Sequence, residues 1–256
     1  MMRAAFDFSG HRVLVTGAAG GIGRAVAEGF AGAGADLVIV DKDPGVRSVA
    51  TEIAGQVTTI ECDIADGDAV RAALGGLGPI HVLVNNAGLE RPTPLVGPDP
   101  ETDETFDRII DVNIRGTRNV TRTLLPTMQS GACILLTASI WGRTAVPDFS
   151  AYVASKHAII GLSRTRAQEL GPRGIRVNAI CPGWVRTKQA MGSLARMAEV
   201  QNRSEQDLLA EISDAQALEG VMNPADVAGL YLFLASDAAA NITGQAINVD
   251  RGEVMS

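Results

Sequence analysis

A chain of 256 residues, 46% apolar and 20% charged, has the make-up of a globular protein with a large core, which excludes a disordered, collagen-like or disulfide-scaffold chain. Its net charge of −7 and pI near 5.0 repel phosphate backbones and anionic lipid, so neither nucleic acid nor a membrane surface is an expected partner. Glycine is over-used: 28 residues, about 11%, against roughly 7% in average proteins.

In chain order, a strand is expected over 12–16, running into the glycine-rich turn TGAAGGIG and a helix over 21–32. A second strand, 36–40, ends at Asp41, and a third covers 57–61, followed by a helix over 66–75. Strands over 81–85, 133–137, 176–180 and 246–249 alternate with helices over 101–128, 150–170 and 224–236. Short Val- and Ile-rich runs separated by helical periods predict a doubly wound α/β fold, a seven-stranded parallel sheet flanked by helices, in a single domain over residues 1–256. Residues 184–222 carry no strand and read as a lid-like insertion after the sixth strand. In it Ser204 and Asp207 have helix-opening spacing ahead of the amphipathic stretch DLLAEI.

No apolar core of a secretion signal precedes Ser9, and no run approaches the ~18 apolar residues of a membrane span. Cys62, Cys133 and Cys181 are odd in number and lack a C-x-x-C pair, so they read as buried reduced thiols; a cytoplasmic protein without a metal site is expected.

The turn after the first strand is of Rossmann type. Gly17, Gly21 and Gly23, with Ile22 among them, let the chain turn, bring backbone N–H groups to a pyrophosphate and pack the helix against the sheet. Asp41, 18 residues beyond Gly23, is spaced to receive the adenosine ribose hydroxyls and repels a 2′-phosphate, which predicts NAD over NADP; the adjacent Lys42 softens that repulsion. Gly88 and Gly183 end strands at the same edge.

Tyr152 and Lys156 stand four apart on one helix face, close enough for the ammonium, with a positively charged nicotinamide, to lower the phenol pKa toward neutrality. Ser139 ends the fifth strand at the edge where open α/β sheets bind ligands.

TGAAGGIG, NNAG at 85–88, Asn113 in VNIRGT, Ser139, Tyr152-x-x-x-Lys156 and CPG at 181–183 occur in an order that resembles the short-chain dehydrogenase/reductase family over essentially the whole chain. The resemblance implies a catalytic tetrad of Asn113, Ser139, Tyr152 and Lys156. It implies that Asp63 and Ile64 meet adenine, that Asn85 lies at the adenosine ribose, and that Val185 and Thr187 hold the carboxamide. It also implies a homo-oligomer, a tetramer ahead of a dimer, although Arg251 in VDRG replaces a glycine common in the family.

Distance from the tetrad places Glu90, Trp141, Arg143, Phe149 and Trp184 at the substrate, together with Ser139 and Tyr152. Aromatic walls beside hydrogen-bonding groups suit a neutral polyol or sugar-like secondary alcohol. The likeness extends to members acting on 3-hydroxybutyrate, small diols and polyols. A 3-hydroxy acid dehydrogenase and a 3-oxoacyl thioester reductase are therefore the alternatives, and a non-catalytic nucleotide sensor is the alternative of another class.

Overall fold

The computed structural model describes residues 5–255; residues 1–4, part of the stretch read above as lacking a secretion signal, and residue 256 lie outside the described residues. The core begins with strict alternation. On β1 (Arg12–Thr16), Val13 and Val15 enter one apolar cluster and Leu14 the other, and all three are fully buried. A strand apolar on both faces has to be covered on both.

The remaining strands are β2 (Asp36–Asp41), β3 (Val57–Glu61), β4 (Val82–Asn85), β5 (Cys133–Thr137), β6 (Arg176–Pro182) and β7 (Ala246–Val249). They form one sheet in the order β3-β2-β1-β4-β5-β6-β7, and every recorded pairing is parallel. The order reverses between β1 and β4, which opens a crevice at their carboxyl ends.

The helices are α1 (Gly21–Gly32), α2 (Val46–Glu52), α3 (Gly67–Leu74), α4 (Thr102–Ile110), α5 (Thr117–Leu124), α6 (Ser150–Leu170), α7 (Lys188–Gln201), α8 (Glu205–Asp214) and α9 (Pro224–Ala235). One face of the sheet is covered by α1 and α9, which approach closely where Leu232 meets Gly29. Patterning places no separate helix over α7 and misses the seven-residue α2. The latter is under two turns long and has no side-chain cap to announce it. The single helix expected over 101–128 is instead α4, a π-helical turn over Asp111–Gly116, α5 and a 3-10 turn that takes in Pro126.

The expected insertion is a helical hairpin. Thr187 Oγ1 caps α7 by accepting from Ala190 N (3.1 Å), Asn202 ends it with a left-handed φ of +50°, and Ser204 Oγ opens α8 by accepting from Asp207 N (3.0 Å). The hairpin has its own small core of Leu194, Ala198 and Leu208, against which Trp184 and Met191 pack.

Candidate active site

The cofactor end of the crevice is shaped by backbone. Gly17 has φ +70°, and a Cβ there would lie 2.7 Å from Ala87 Cα; a Cβ on Gly23 would lie 2.1 Å from the Gly17 carbonyl oxygen. Asn86 Nδ2 donates to the carbonyls of Thr16 (3.2 Å) and Gly17 (3.3 Å), while Thr16 Oγ1 accepts from the amides of Asn86 and Ala87. The turns after β1 and β4 are thus stitched together. No side chain caps α1, whose cap residue is Gly20, so its first-turn amides keep their capacity for an anion.

Asp41 ends β2 with both carboxylate oxygens oriented, Oδ2 by Ala19 N (2.9 Å) and Oδ1 by Asp43 N (3.0 Å). Asp63 accepts from Ala65 N (3.0 Å) and pairs with Arg108. Burial opposes its ionisation, but the Ala65 amide and Arg108 together hold it below the usual carboxylate range. A cleft of about 750 Å³ runs from Asp41, Asp63 and Ile64 past Gly17, Gly21 and Ile22 to Gly88, Ser139, Tyr152, Lys156, Gly183, Val185 and Thr187. Glycine cradle, uncapped helix start and terminal acid fit a dinucleotide.

Two expected cofactor residues fall outside the cleft lining. Gly23 packs behind the turn. Asn85 does not border the cleft either; its Nδ2 donates to Thr121 Oγ1 (3.2 Å) on α5, because successive side chains leave a strand on opposite faces and Asn86 takes the cleft side. Asn86, not Asn85, is the asparagine of this turn.

The four tetrad residues come from three places in the chain: the π-helical turn, the end of β5 and α6. Asn113 lies in the π-helical turn, where Nδ2 donates to Leu89 O (3.0 Å) and Ser155 Oγ (2.9 Å) and Oδ1 accepts from Leu89 N (2.7 Å). This ties the loop after β4 to α6 from behind the cleft. Ser139 Oγ accepts from Trp141 N (3.1 Å). Tyr152 and Lys156 share a face of α6, with Lys156 Nζ 5.4 Å from the Tyr152 ring centroid and donating to Thr137 O (2.7 Å).

The expected lowering of the phenol pKa falls to the nicotinamide's charge, because the protein's own groups act the other way. Burial pushes the Tyr152 phenol well above its ordinary value, the Glu90 carboxylate adds to the rise, and Ser139 opposes it. Burial also pulls Lys156 down to about 8. The protein's own groups favour the protonated phenol, and Lys156 does not outweigh desolvation.

Glu90, Trp141 and Trp184 border the reactive end as expected. Glu90 is only 8% exposed, and burial raises its pKa against the pull of Ser193, Gln189, Arg196 and Arg91. Trp141 stands edge-on to Tyr152, with centroids 5.9 Å apart. Phe149 does not line the cleft: it is buried behind Trp141, 5.5 Å away, as its support. Arg143 is also outside, since the 3-10 turn after Ser139 directs it to the β7 side, where it donates to Ala246 O and borders a separate groove with Arg164. Residues that sequence reasoning missed are Asn86, Gln189 and Arg196 on or near the cleft, and Glu253 beyond β7. Only NNAG carried a signal for any of them.

Among the described residues no helix is long and apolar enough to cross a membrane, and no group of three or more His, Cys, Asp or Glu side chains is placed to hold a metal ion. Cys62, Cys133 and Cys181 are free and buried.

A dinucleotide cleft ending on a serine, a tyrosine and a lysine defines a Rossmann-fold oxidoreductase that uses a nicotinamide cofactor. A family model described as enoyl-(acyl carrier protein) reductase matches residues 17–253, and the chain belongs to the short-chain dehydrogenase/reductase family. It is 36% identical over 257 residues to the oxidoreductase UcpA of Escherichia coli O157:H7, with 96% of this chain and 95% of that one covered. It is 34% identical over 252 residues to the D-xylose 1-dehydrogenase of Caulobacter vibrioides, with 96% of each covered. The structure also superposes on a 3-ketoacyl-(acyl-carrier-protein) reductase from Brucella melitensis complexed with NADH, with a TM-score of 0.83, 32% identity, and coverage of 97% of this chain and 100% of that one.

Proposed function

We propose that the protein is an NAD-dependent dehydrogenase acting on a secondary alcohol of a neutral polyol or sugar-like compound, with residues 1–256 forming one catalytic domain and 184–222 a lid over its cleft. The observation that carries the substrate class is Glu90: a buried carboxylate, close enough to Tyr152 to raise its pKa, that leaves Oε1 without a partner. Such an oxygen accepts from a substrate hydroxyl and repels a carboxylate at the same place. The D-xylose 1-dehydrogenase among the relatives supports this class.

Ser139 holds the reacting oxygen and Tyr152 exchanges a proton with it. Lys156 binds the nicotinamide ribose and supports the tyrosine's ionisation, and Asn113 anchors the relay from behind. When bound, the dinucleotide supplies the hydride acceptor and a positive charge that helps draw off the phenolic proton. Asp41, Asp63 and Ile64 hold the adenosine end, the Gly17–Gly23 turn the pyrophosphate, and Gly183, Val185 and Thr187 the carboxamide end. Asp41 favours NAD, because a carboxylate held at the end of β2 would accept from ribose hydroxyls and repel a 2′-phosphate. A cytoplasmic homo-oligomer, tetrameric ahead of dimeric, fits this assignment.

A second reading, a 3-hydroxy acid dehydrogenase or 3-oxoacyl thioester reductase, is favoured by Arg196, a cation of α7 that borders the cleft, and by the likeness to the ketoacyl reductase. A panel of polyols, aldoses, 3-hydroxy acids and 3-oxoacyl thioesters, each assayed with NAD(H) and NADP(H) through reduced-nicotinamide absorbance, decides between them. The expected outcome is fastest turnover of a polyol or aldose with NAD. Turnover confined to acids or thioesters, or a preference for NADP, contradicts the proposal.

A further inference from the structure

Glu90 Oε1, Trp184 Nε1 and Glu253 Oε2 are buried polar atoms of cleft-lining residues, and none has a hydrogen-bond partner among the described residues. Glu90 faces the reacting end beside Tyr152. The other two belong to the opposite side of the reactive end, where the annealed strand order fixes their relation to Ser139. The strands β4-β5-β6-β7 lie side by side, so Glu90, Ser139, Trp184 and Glu253 follow four successive strand ends. At ~4.8 Å per strand, the end of β7 lies about 10 Å from that of β5, on the side away from Glu90.

Glu253 is not on a loose tail. Asp250 Oδ1 accepts from Gly252 N (3.1 Å) and Oδ2 from Val254 N (2.9 Å), closing a tight hook. Arg251, with a left-handed φ of +56°, accepts at its carbonyl from Leu218 N (3.0 Å) and donates through Nη1 to Glu219 O (2.6 Å). The hook is thereby clamped to the segment leaving α8. The hook packs closely on Gly183: a Cβ there would lie 2.8 Å from Asp250 Cβ and 3.4 Å from Glu253 Oε2. Burial raises the Glu253 pKa, with Gln216 opposing, so this oxygen stands in a poorly solvated place. Glu253 Oε2 and Trp184 Nε1, both on cleft-lining residues, supply an acceptor and a donor that no described residue uses.

Resting on the polyhydroxylated substrate proposed above, we infer that Glu253 and Trp184 form a distal subsite that reads a hydroxyl at least two carbons from the reacting carbinol. Glu253 accepts from that hydroxyl and Trp184 Nε1 donates to its oxygen or the next one. The two glutamates then read the substrate on both sides of the reacting carbon. The site favours chains or rings longer than a simple diol and disfavours a carboxylate at the Glu253 end.

The test uses the full chain with saturating NAD. Steady-state constants are measured for wild type, Glu253→Gln and Glu253→Ala on the best polyol or aldose and on its analogue deoxygenated at the distal carbon. NADH affinity, read by fluorescence, checks that the variants are folded. The expected result is a KM for the hydroxylated substrate about 10- to 100-fold higher in Glu253→Ala, the range for losing a hydrogen bond to a charged group, with kcat within about twofold. On the deoxy analogue wild type and variant should agree. A KM indifferent to the substitution, or an equal loss on both compounds, overturns the subsite while leaving the polyol assignment standing. If wild type oxidises no polyol or aldose, that assignment fails and the subsite with it.

Discussion

The two ends of the cleft are built differently. At the dinucleotide end the groups that matter are backbone: a glycine turn with no room for a Cβ, an uncapped helix start, and an aspartate held by two amides. At the substrate end they are side chains from four strand ends and α7, including Glu90 and Glu253, each with one carboxyl oxygen that lacks a partner. The first end is complete in itself and suits a ligand common to many enzymes. The second keeps unsatisfied hydrogen-bonding capacity, which is what discrimination among alcohols requires.

If the ends are separable, substitutions should divide between them. The largest effect is expected from Tyr152→Phe, which removes the proton that travels with the reacting oxygen. Turnover should fall by about 10²- to 10⁴-fold with NADH affinity unchanged, as read by steady-state rates and fluorescence titration. Retained turnover would break the assignment of chemistry to this end.

The buried lysine gives the next. Its folded-state pKa of about 8 lies below the 10.5 of an unfolded lysine, so between those values the unfolded chain binds a proton that the folded chain has shed. Stability should therefore rise with pH across that window, relative to Lys156→Met, by on the order of 3 kcal/mol. Urea unfolding at several pH values measures this difference, and an absent slope would show the ammonium to be well solvated.

At the backbone end, Gly23→Ala puts a Cβ 2.1 Å from a carbonyl oxygen that has no free rotation to escape it. The expected cost is about 1–3 kcal/mol, read as a lower Tm, together with weaker dinucleotide binding. Smaller still, Asp41→Ser should shift the ratio of kcat/KM for NAD over NADP by about tenfold toward NADP, worth ~1.4 kcal/mol.

The same division explains what the sequence made legible. All seven strands and the glycine turn could be read because apolar runs and turn chemistry are local. Asp41 was readable as the residue that ends the second strand. Asn85 was taken for Asn86 because a motif names a run of residues, whereas the pleat decides which one faces the ligand. Arg143 looked close to Ser139 in sequence, but a 3-10 turn carries it to the far side. Gln189, Arg196 and Glu253 reach the cleft only after the hairpin and the β7 hook fold over it, and no local period announces that. The raised phenol pKa was equally hidden, since it depends on burial and on Glu90, a residue distant in sequence.

The central claim is that Glu90 sets the substrate class at the reactive end. Its most direct test is the ratio of kcat/KM for the best polyol or aldose to that for 3-hydroxybutyrate, measured with NAD in wild type and in Glu90→Gln. The expected result is a ratio at least about tenfold lower in the variant, because the substitution weakens acceptance of a hydroxyl and removes the charge that repels a carboxylate. An unchanged ratio would contradict the account.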